Sequence, residues 1–207
     1  MKRSLSVMLL LCCVVLLASC SAPKSTPKSA RQITEAVNCV AVLPTRALSD
    51  ENGNTQSVTL RRGAALIDTL MAREIGANTN VRILRPEEMD SLYIGEGSGL
   101  VAVIRSVSQM TGCDAVMITT VRRFKQREGG EYAADAPASA SFDLRIVDAK
   151  SKNVLWATDF DETQQSLFSN IFSFGKAQSR GFKWITVEEL VSQGVKERLA
   201  DCPYLKI

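Results

Sequence analysis

Six cysteines and no histidine set the chemistry open to this chain of 207 residues. Without an imidazole, Ser-His-Asp catalysis, Cys-His catalysis and every His-ligated metal site are excluded. Carboxylate chemistry is not. Asp159, Asp161 and Glu162 cluster at a strand end, and strand alternation places Asp159 and Asp161 on one face. Paired acids there could bind Ca²⁺ or divide acid and base work on a cell-wall glycan. The calcium-loop pattern with its central Gly is absent, and a solvated strand end accounts for the same residues. Gly95-Glu96-Gly97-Ser98-Gly99 could turn backbone N–H groups toward an anion. A nucleotide loop would follow with Lys and Ser or Thr, and Leu100-Val101 stand there, so the stretch reads as a helix lead-in. No catalytic residue, metal or cofactor is expected.

The thiols say more. Met1-Lys2-Arg3-Ser4 opens a run from Leu5 to Leu17 that is apolar except at Ser6, and the run exits through Leu17-Ala18-Ser19-Cys20. A basic start, a short apolar core and a small-residue exit make a secretory signal, too short for a membrane span. The exit resembles the lipobox of bacterial lipoproteins: Leu, two small residues, then Cys. The resemblance implies diacylglycerol transfer to the Cys20 sulfur and cleavage before it, with small residues admitting the backbone to the peptidase. Residues 1–19 are thus expected to be a signal, 20–32 a flexible lipidated tether, and 33–207 one globular α/β domain. Ser21-Ala22-Pro23-Lys24-Ser25-Thr26-Pro27-Lys28-Ser29-Ala30 has no large apolar residue with which to build a core. Ser21 replaces the Asp that resembles an inner-membrane retention signal, which favours the outer membrane, facing the periplasm.

Export leaves Cys39, Cys113 and Cys202 in the domain. An oxidising compartment permits a disulfide, and three thiols allow three pairs with one left over. Cys39 and Cys113 each flank an apolar run, so small buried residues account for them equally well. Loss of residues 1–19 leaves 23 basic residues against 22 acidic ones. So even a balance gives no basis for a nucleic-acid partner.

The elements that must position these residues follow from periodicity. Residues 37–43 read as a buried strand ending at Pro44, and 45–57 as a polar loop. Leu60, Ala64, Ile67, Met71 and Ile75 recur at helical spacing. Val81–Leu84 reads as a short strand, Pro86 starts a helix, and a third helix runs from about Gly99 to Thr111 with Leu100, Val103, Ile104 and Val107 inward. Ala115–Val121 is a strand running into charged residues to Glu128, and Gly129-Gly130 turns the chain. Ser141–Ile146 and Val154–Phe160 pair across a turn at Asp148–Asn153. Thr186 and Glu189 form a capping box for a last helix with Val187, Leu190, Val191 and Val195 inward. The order β-α-β-α-α-β-β-β-α implies one mixed sheet, with βαβ crossovers first and an antiparallel meander second, and helices packed on it.

Two surfaces stand out. At period two, Arg123, Lys125 and Arg127 share a face that could meet anionic headgroups or an acidic partner; protection of an exposed hairpin edge is the alternative. Leu167-Phe168-Ser169-Asn170-Ile171-Phe172-Ser173-Phe174 follows Gln164-Gln165-Ser166. Phe168, Phe172 and Phe174, with Gln164 and Gln165, form either core or a partner surface.

Val40-Ala41-Val42-Leu43-Pro44, Thr111-Gly112-Cys113-Asp114-Ala115-Val116, and Phe142–Asp148 followed by Val154-Leu155-Trp156 resemble the first strand, the third-strand lead-in and the hairpin with a buried Trp of a group of exported bacterial α/β domains. The group includes the curli-secretion channel lipoprotein, a Pel-polysaccharide export lipoprotein, the lipoprotein activators of penicillin-binding proteins and the amino-terminal domain of TolB. Asp161–Gln165 and Trp184–Leu190 resemble the ending of uncharacterised lipoproteins of this kind. The resemblance covers most of residues 37–160. It implies a non-enzymatic binding or assembly factor for an envelope or export complex, anchored in lipid through acylated Cys20, with protein partners and a homo-oligomer among the expectations. The rival readings are a carboxylate-dependent cell-wall hydrolase and a lipoprotein binding peptidoglycan or lipid directly. Channel formers in the group need a long amphipathic hairpin. Residues 116–146 alternate only in part around a charged centre, so no pore is expected.

Overall fold

Val40-Ala41-Val42 is apolar at three successive positions, as a strand covered on both faces must be, and all three are buried. The computed structural model describes residues 36–48, 56–92, 99–130, 134–164 and 184–205. In chain order these form β1 (Val40–Val42), β2 (Arg46–Ala47), α1 (Gln56–Ile75), β3 (Val81–Ile83), α2 (Pro86–Asp90), α3 (Leu100–Thr111), β4 (Ala115–Lys125), β5 (Glu128–Gly129), β6 (Ala134–Ala136), β7 (Ser139–Asp148), β8 (Val154–Thr163) and α4 (Val187–Ala200). The main sheet runs β3-β1-β4-β7-β8, β2 also pairs with β4, and β5 with β6 makes a separate ribbon. β1 lies parallel to β3 and β4, whereas β4, β7 and β8 are antiparallel. This is the mixed α/β sheet that the sequence pattern implies. β2 falls within the stretch read as loop; two residues are too few to show a period.

The strand order also places the helices. The passage from β1 to β3 through α1 and the return from β3 to β4 through α2 and α3 cross the sheet in opposite directions. Right-handed crossovers then require α1 and α3 to lie on opposite faces. On one face, Leu60, Ala64, Ile67, Met71 and Ile75 of α1 and Val187, Leu190, Val191 and Val195 of α4 join Val40, Val42, Met117, Phe142 and Leu144 in one core. On the other, Ile104 and Val107 of α3 meet Ala41, Leu43, Val116 and Ile118. Leu100 departs from the expected inward stripe and is 43% exposed. α3 is about 18 Å long, and the three residues of β1 beneath it span only about 10 Å, so its first turn extends past the end of β1. Trp156, expected to be buried, packs partly against the first core from the edge strand.

Two local devices fix the geometry. α3 ends at Gly112, whose φ of 72° is left-handed, a conformation costing an L-residue roughly 1–2 kcal/mol. It turns the chain into β4 and presents Cys113, which is bonded to Cys39 across a Cα separation of 4.6 Å. The two cysteines precede paired parallel strands, Val40 standing opposite Ala115. Of the pairings open in the sequence, this leaves Cys202 buried as a free thiol whose pKa burial pushes up. The expected box caps α4: the Thr186 hydroxyl accepts from the Glu189 N–H at 3.2 Å. The helix then crosses the sheet at Gly194, directly over Phe160, whose ring stacks on Phe142 at 5.0 Å between centroids.

Replacing Cys39 and Cys113 with Ser should lower stability by about 2–4 kcal/mol, because 74 residues separate them and the open chain regains that loop entropy. Thermal denaturation of the oxidised protein and the double variant checks this. A Cβ at Gly194 would stand 2.7 Å from the Phe160 ring. Gly194→Ala should therefore destabilise despite the roughly 1 kcal/mol gain in helix preference, since overpacking costs about 1–3 kcal/mol and the ring is pinned by Phe142. The urea midpoint should fall.

Candidate functional site

α3 covers only the foot of the sheet on its face. Further along, alternation turns Arg122 of β4, Ser141, Asp143 and Arg145 of β7, and Asp159 and Asp161 of β8 to that same face. Register supplies the contacts: Thr120 stands opposite Asp143, Asp143 opposite Asp159, and Ser141 opposite Asp161. Asp143 receives Arg122 at 3.1 Å and Arg145 at 3.3 Å. Arg123 meets Asp161 at 2.5 Å and donates further to the Ala140 and Glu162 carbonyls. The result is a lateral network of three arginines and two aspartates, Asp143 and Asp161, with Asp159 beside it on the same face. Ser141, Asp143 and Arg145 were visible in the sequence as one side of an alternating strand. Their pairing with Arg122 was not, because it depends on the register between β4 and β7.

Arg123 and Lys125 share a face of β4 as expected, standing opposite Ser141 and Ser139, but β4 ends at Lys125, so Arg127 lies beyond the strand, and each of the three cations has a partner. Arg123 is taken up by Asp161, and Lys125 lies 3.6 Å from Glu128. Arg127 donates to the Trp184 carbonyl at 2.6 Å. Beside it, Gln126 accepts the Val187 N–H and donates to Glu188 at 2.8 Å, so the end of β4 is tied to the start of α4. Gln164, expected on a partner surface, is a second correction: it is buried, and its Oε1 accepts the Ile185 N–H at 2.9 Å. A polar residue following a strand looks like surface in a sequence, and here it closes the two ends of a long connection. Phe168, Phe172, Phe174 and Gln165 lie outside the described residues, as do Cys20 and residues 95–98 of the glycine-rich run, whose last member, Gly99, is the N-cap of α3.

The acids are arranged for pairing rather than proton transfer. Asp159 and Asp161 share a face as expected, while Glu162 belongs to the opposite one. The Arg123 hydrogen bond holds the Asp161 carboxyl below its usual range, with Ser141 and Arg122 adding to it against desolvation. A glycosidase acid must instead be raised toward neutrality. Asp148 and Glu88 are likewise lowered, chiefly by the backbone N–H groups of Ser151 and Arg85 respectively. Among the described residues no three His, Cys, Asp or Glu side chains converge as metal ligands. A cavity of about 450 Å³ beside the disulfide, lined by Val37, Ser108, Cys113, Asp114, Asp148 and Lys150, is wide open. Its acids are engaged: Asp114 accepts the Asn38 N–H, and Asp148 accepts those of Lys150 and Ser151.

A carboxyl depressed in the folded state stabilises above its unfolded pKa, near 4, and loses that contribution as pH falls through the folded value. The stability difference between the wild type and Asp148→Ala should therefore be largest above about pH 4 and should shrink below it. Urea midpoints from pH 6 to pH 2 test this.

No family model matches the chain, and no curated protein matches it. Solved structures do. It is similar to the PelC dodecamer from Paraburkholderia phytofirmans at 11% identity, covering 79% of this chain and 85% of that one, with a TM-score of 0.44. It is similar to the lipoprotein GNA1162 from Neisseria meningitidis at 17% identity, over 80% and 99% of the chains, with a TM-score of 0.37. The C-terminal domain of LpoB from Salmonella enterica shares 12% identity over 62% and 85% of the chains, with a TM-score of 0.32. The likeness is one of chain course, and no residue role is carried across from it.

Proposed function

We propose that the protein is a lipid-anchored envelope factor that binds other envelope proteins and catalyses no reaction. In this reading residues 1–19 are a cleaved signal, Cys20 carries the lipid, residues 20–32 are the tether, and residues 33–207 are the binding domain held at the outer membrane on its periplasmic side. The carrying observation is Leu17-Ala18-Ser19-Cys20 after a basic and then apolar lead. That spacing presents a thiol where a diacylglycerol can be attached and a peptide bond cut. The Cys39–Cys113 disulfide supports the same compartment independently, because such bonds persist where the surroundings oxidise. Against hydrolysis stands the network, in which Asp161 is held ionised by Arg123 and Asp143 sits between two arginines. Acyl chains contribute about 0.8 kcal/mol per buried CH₂, and a tethered domain meets its partners at raised effective concentration.

Intact mass of the membrane-extracted protein should correspond to a chain beginning at Cys20 plus acyl groups, and Cys20→Ala should leave the membrane fraction or remain unprocessed. A wild-type N-terminus without lipid would remove the reading. Asp159→Asn and Asp161→Asn should leave cellular function unchanged; a loss that is specific to these changes, with folding intact, would restore the hydrolase.

A further inference from the structure

The two sulfurs of the disulfide stand in unlike surroundings. Cys113 is 1% exposed and packs among Ala41, Ile104, Val107 and Val116. Cys39 lies at the margin of that cluster and is only partly buried. The open cavity beside the bond is bordered by Cys113 and by Ala36 and Val37, which lead into Cys39. In disulfide exchange a thiolate attacks one sulfur and the other leaves, so the outcome depends on which sulfur can be reached. A sulfur enclosed in close-packed side chains admits no attacker. Burial thus leaves Cys39 as the sulfur open to attack.

The strands that carry the two cysteines are paired by more than the bond. The Cys39 carbonyl accepts the Ala115 N–H at 3.2 Å, and the Val40 N–H donates to the Asn80 carbonyl at 2.9 Å. The Asn38 N–H donates to the Asp114 carboxylate at 2.9 Å. Residues 38–40 are therefore held on both sides of Cys39 by backbone groups. As a thiol, Cys113 is a small apolar residue suited to the cluster that already surrounds it. The Cα separation of 4.6 Å lies within the range that a disulfide spans. A bond placed so can open without unfolding the domain and close again within it.

We propose that Cys39–Cys113 is a reversible redox site of the folded domain, entered only through Cys39, and that its partner is a protein dithiol of the Cys-X-X-Cys type. A thiolate of the partner attacks the Cys39 sulfur. The Cys39–Cys113 bond breaks, a mixed disulfide forms on Cys39, and the Cys113 sulfur leaves with the electron pair and takes a proton from solvent. The partner's second thiolate then attacks the partner sulfur of the mixed disulfide, and Cys39 leaves as a thiolate. Two electrons pass: the partner dithiol becomes a disulfide, and the disulfide of the domain becomes two thiols. Closure runs the same steps backward with an oxidised partner, Cys39 attacking and Cys113 resolving. A dithiol suits the site better than a single thiol. Cys113 is held beside the Cys39 sulfur and expels a single-thiol adduct by re-forming the bond, so a second thiol in the partner is needed to complete the reduction. Cys202 takes no part, because it is buried in the other core cluster. The site stands on Cys39 and Cys113 alone and does not require lipid at Cys20.

The full chain is reduced with a phosphine, freed of it, and pulsed under native conditions with iodoacetamide. After acid quenching and unfolding, a heavy form of the reagent caps the remaining thiols, and peptide masses give the rate at each cysteine. Cys39 should be labelled at least about tenfold faster than Cys113 and Cys202. Equal rates at the three, which a domain that unfolds on reduction also gives, overturn the proposal, and so does faster labelling of Cys113. In a second arm the oxidised protein meets an excess of a thioredoxin whose second active-site cysteine is serine, and the mixture is quenched in acid. The adduct should map to Cys39, and the intact thioredoxin should reduce the bond several-fold faster than its Cys-X-X-Ser form. An adduct on Cys113, no adduct, or equal reduction by the two forms refutes it.

Discussion

Everything in this domain is measured against β4. It is the one strand that joins the two halves of the main sheet, with parallel partners β1 and β2 on one side and antiparallel β7 on the other. Its first residues are covered on both faces, which is why Ala115-Val116-Met117-Ile118 is continuously apolar. Only beyond the reach of α3 does it carry Arg122 and Arg123. The change from apolar to charged along one strand thus marks where one layer of helix stops. The cost of this double burial shows at Thr119, which is fully buried and whose hydroxyl finds no partner among the described groups.

The charged groups follow from the same strand. Once β4 and β7 are in register, arginines on one meet aspartates on the next. The slip at Arg122 lets two consecutive arginines be accommodated where strict alternation would send one into the opposite core. The partners are used up across the sheet rather than presented outward. Exposed pairs of this kind are individually worth at most about 1 kcal/mol. The contribution of the network is to keep the outer strands aligned and polar, which suits a sheet whose last strand, β8, pairs on one side alone among the described residues.

Much of the fold could be read from the sequence because it was written in long periodic stretches. The inward residues of α1 and α4, the Asp148–Asn153 turn and the Thr186–Glu189 box were all legible, since each is set by neighbours within a few positions. The misreadings share one cause. Arg123, Arg127, Gln164 and Leu100 owe their environments to partners 17 to 57 residues away, or to where a neighbouring element ends, and no local pattern reports that. Pairing of Cys39 with Cys113 likewise waited on the knowledge that their strands are adjacent. The anchor was legible for the opposite reason: the features of Leu17–Cys20 are read by enzymes from a contiguous stretch, so they are wholly contained in it.

The disulfide has a consequence for the order of synthesis. In a chain that crosses a membrane with its N-terminus leading, Cys39 arrives first in the oxidising space, Cys113 second and Cys202 last. An oxidase that joins thiols as they emerge therefore makes the native bond before the third thiol can compete. By the time Cys202 appears, α4 can carry it into the core, where burial leaves it protonated and unreactive. On the proposed export route, the spacing of Cys39, Cys113 and Cys202 along the chain thus favours the native pair by order of arrival.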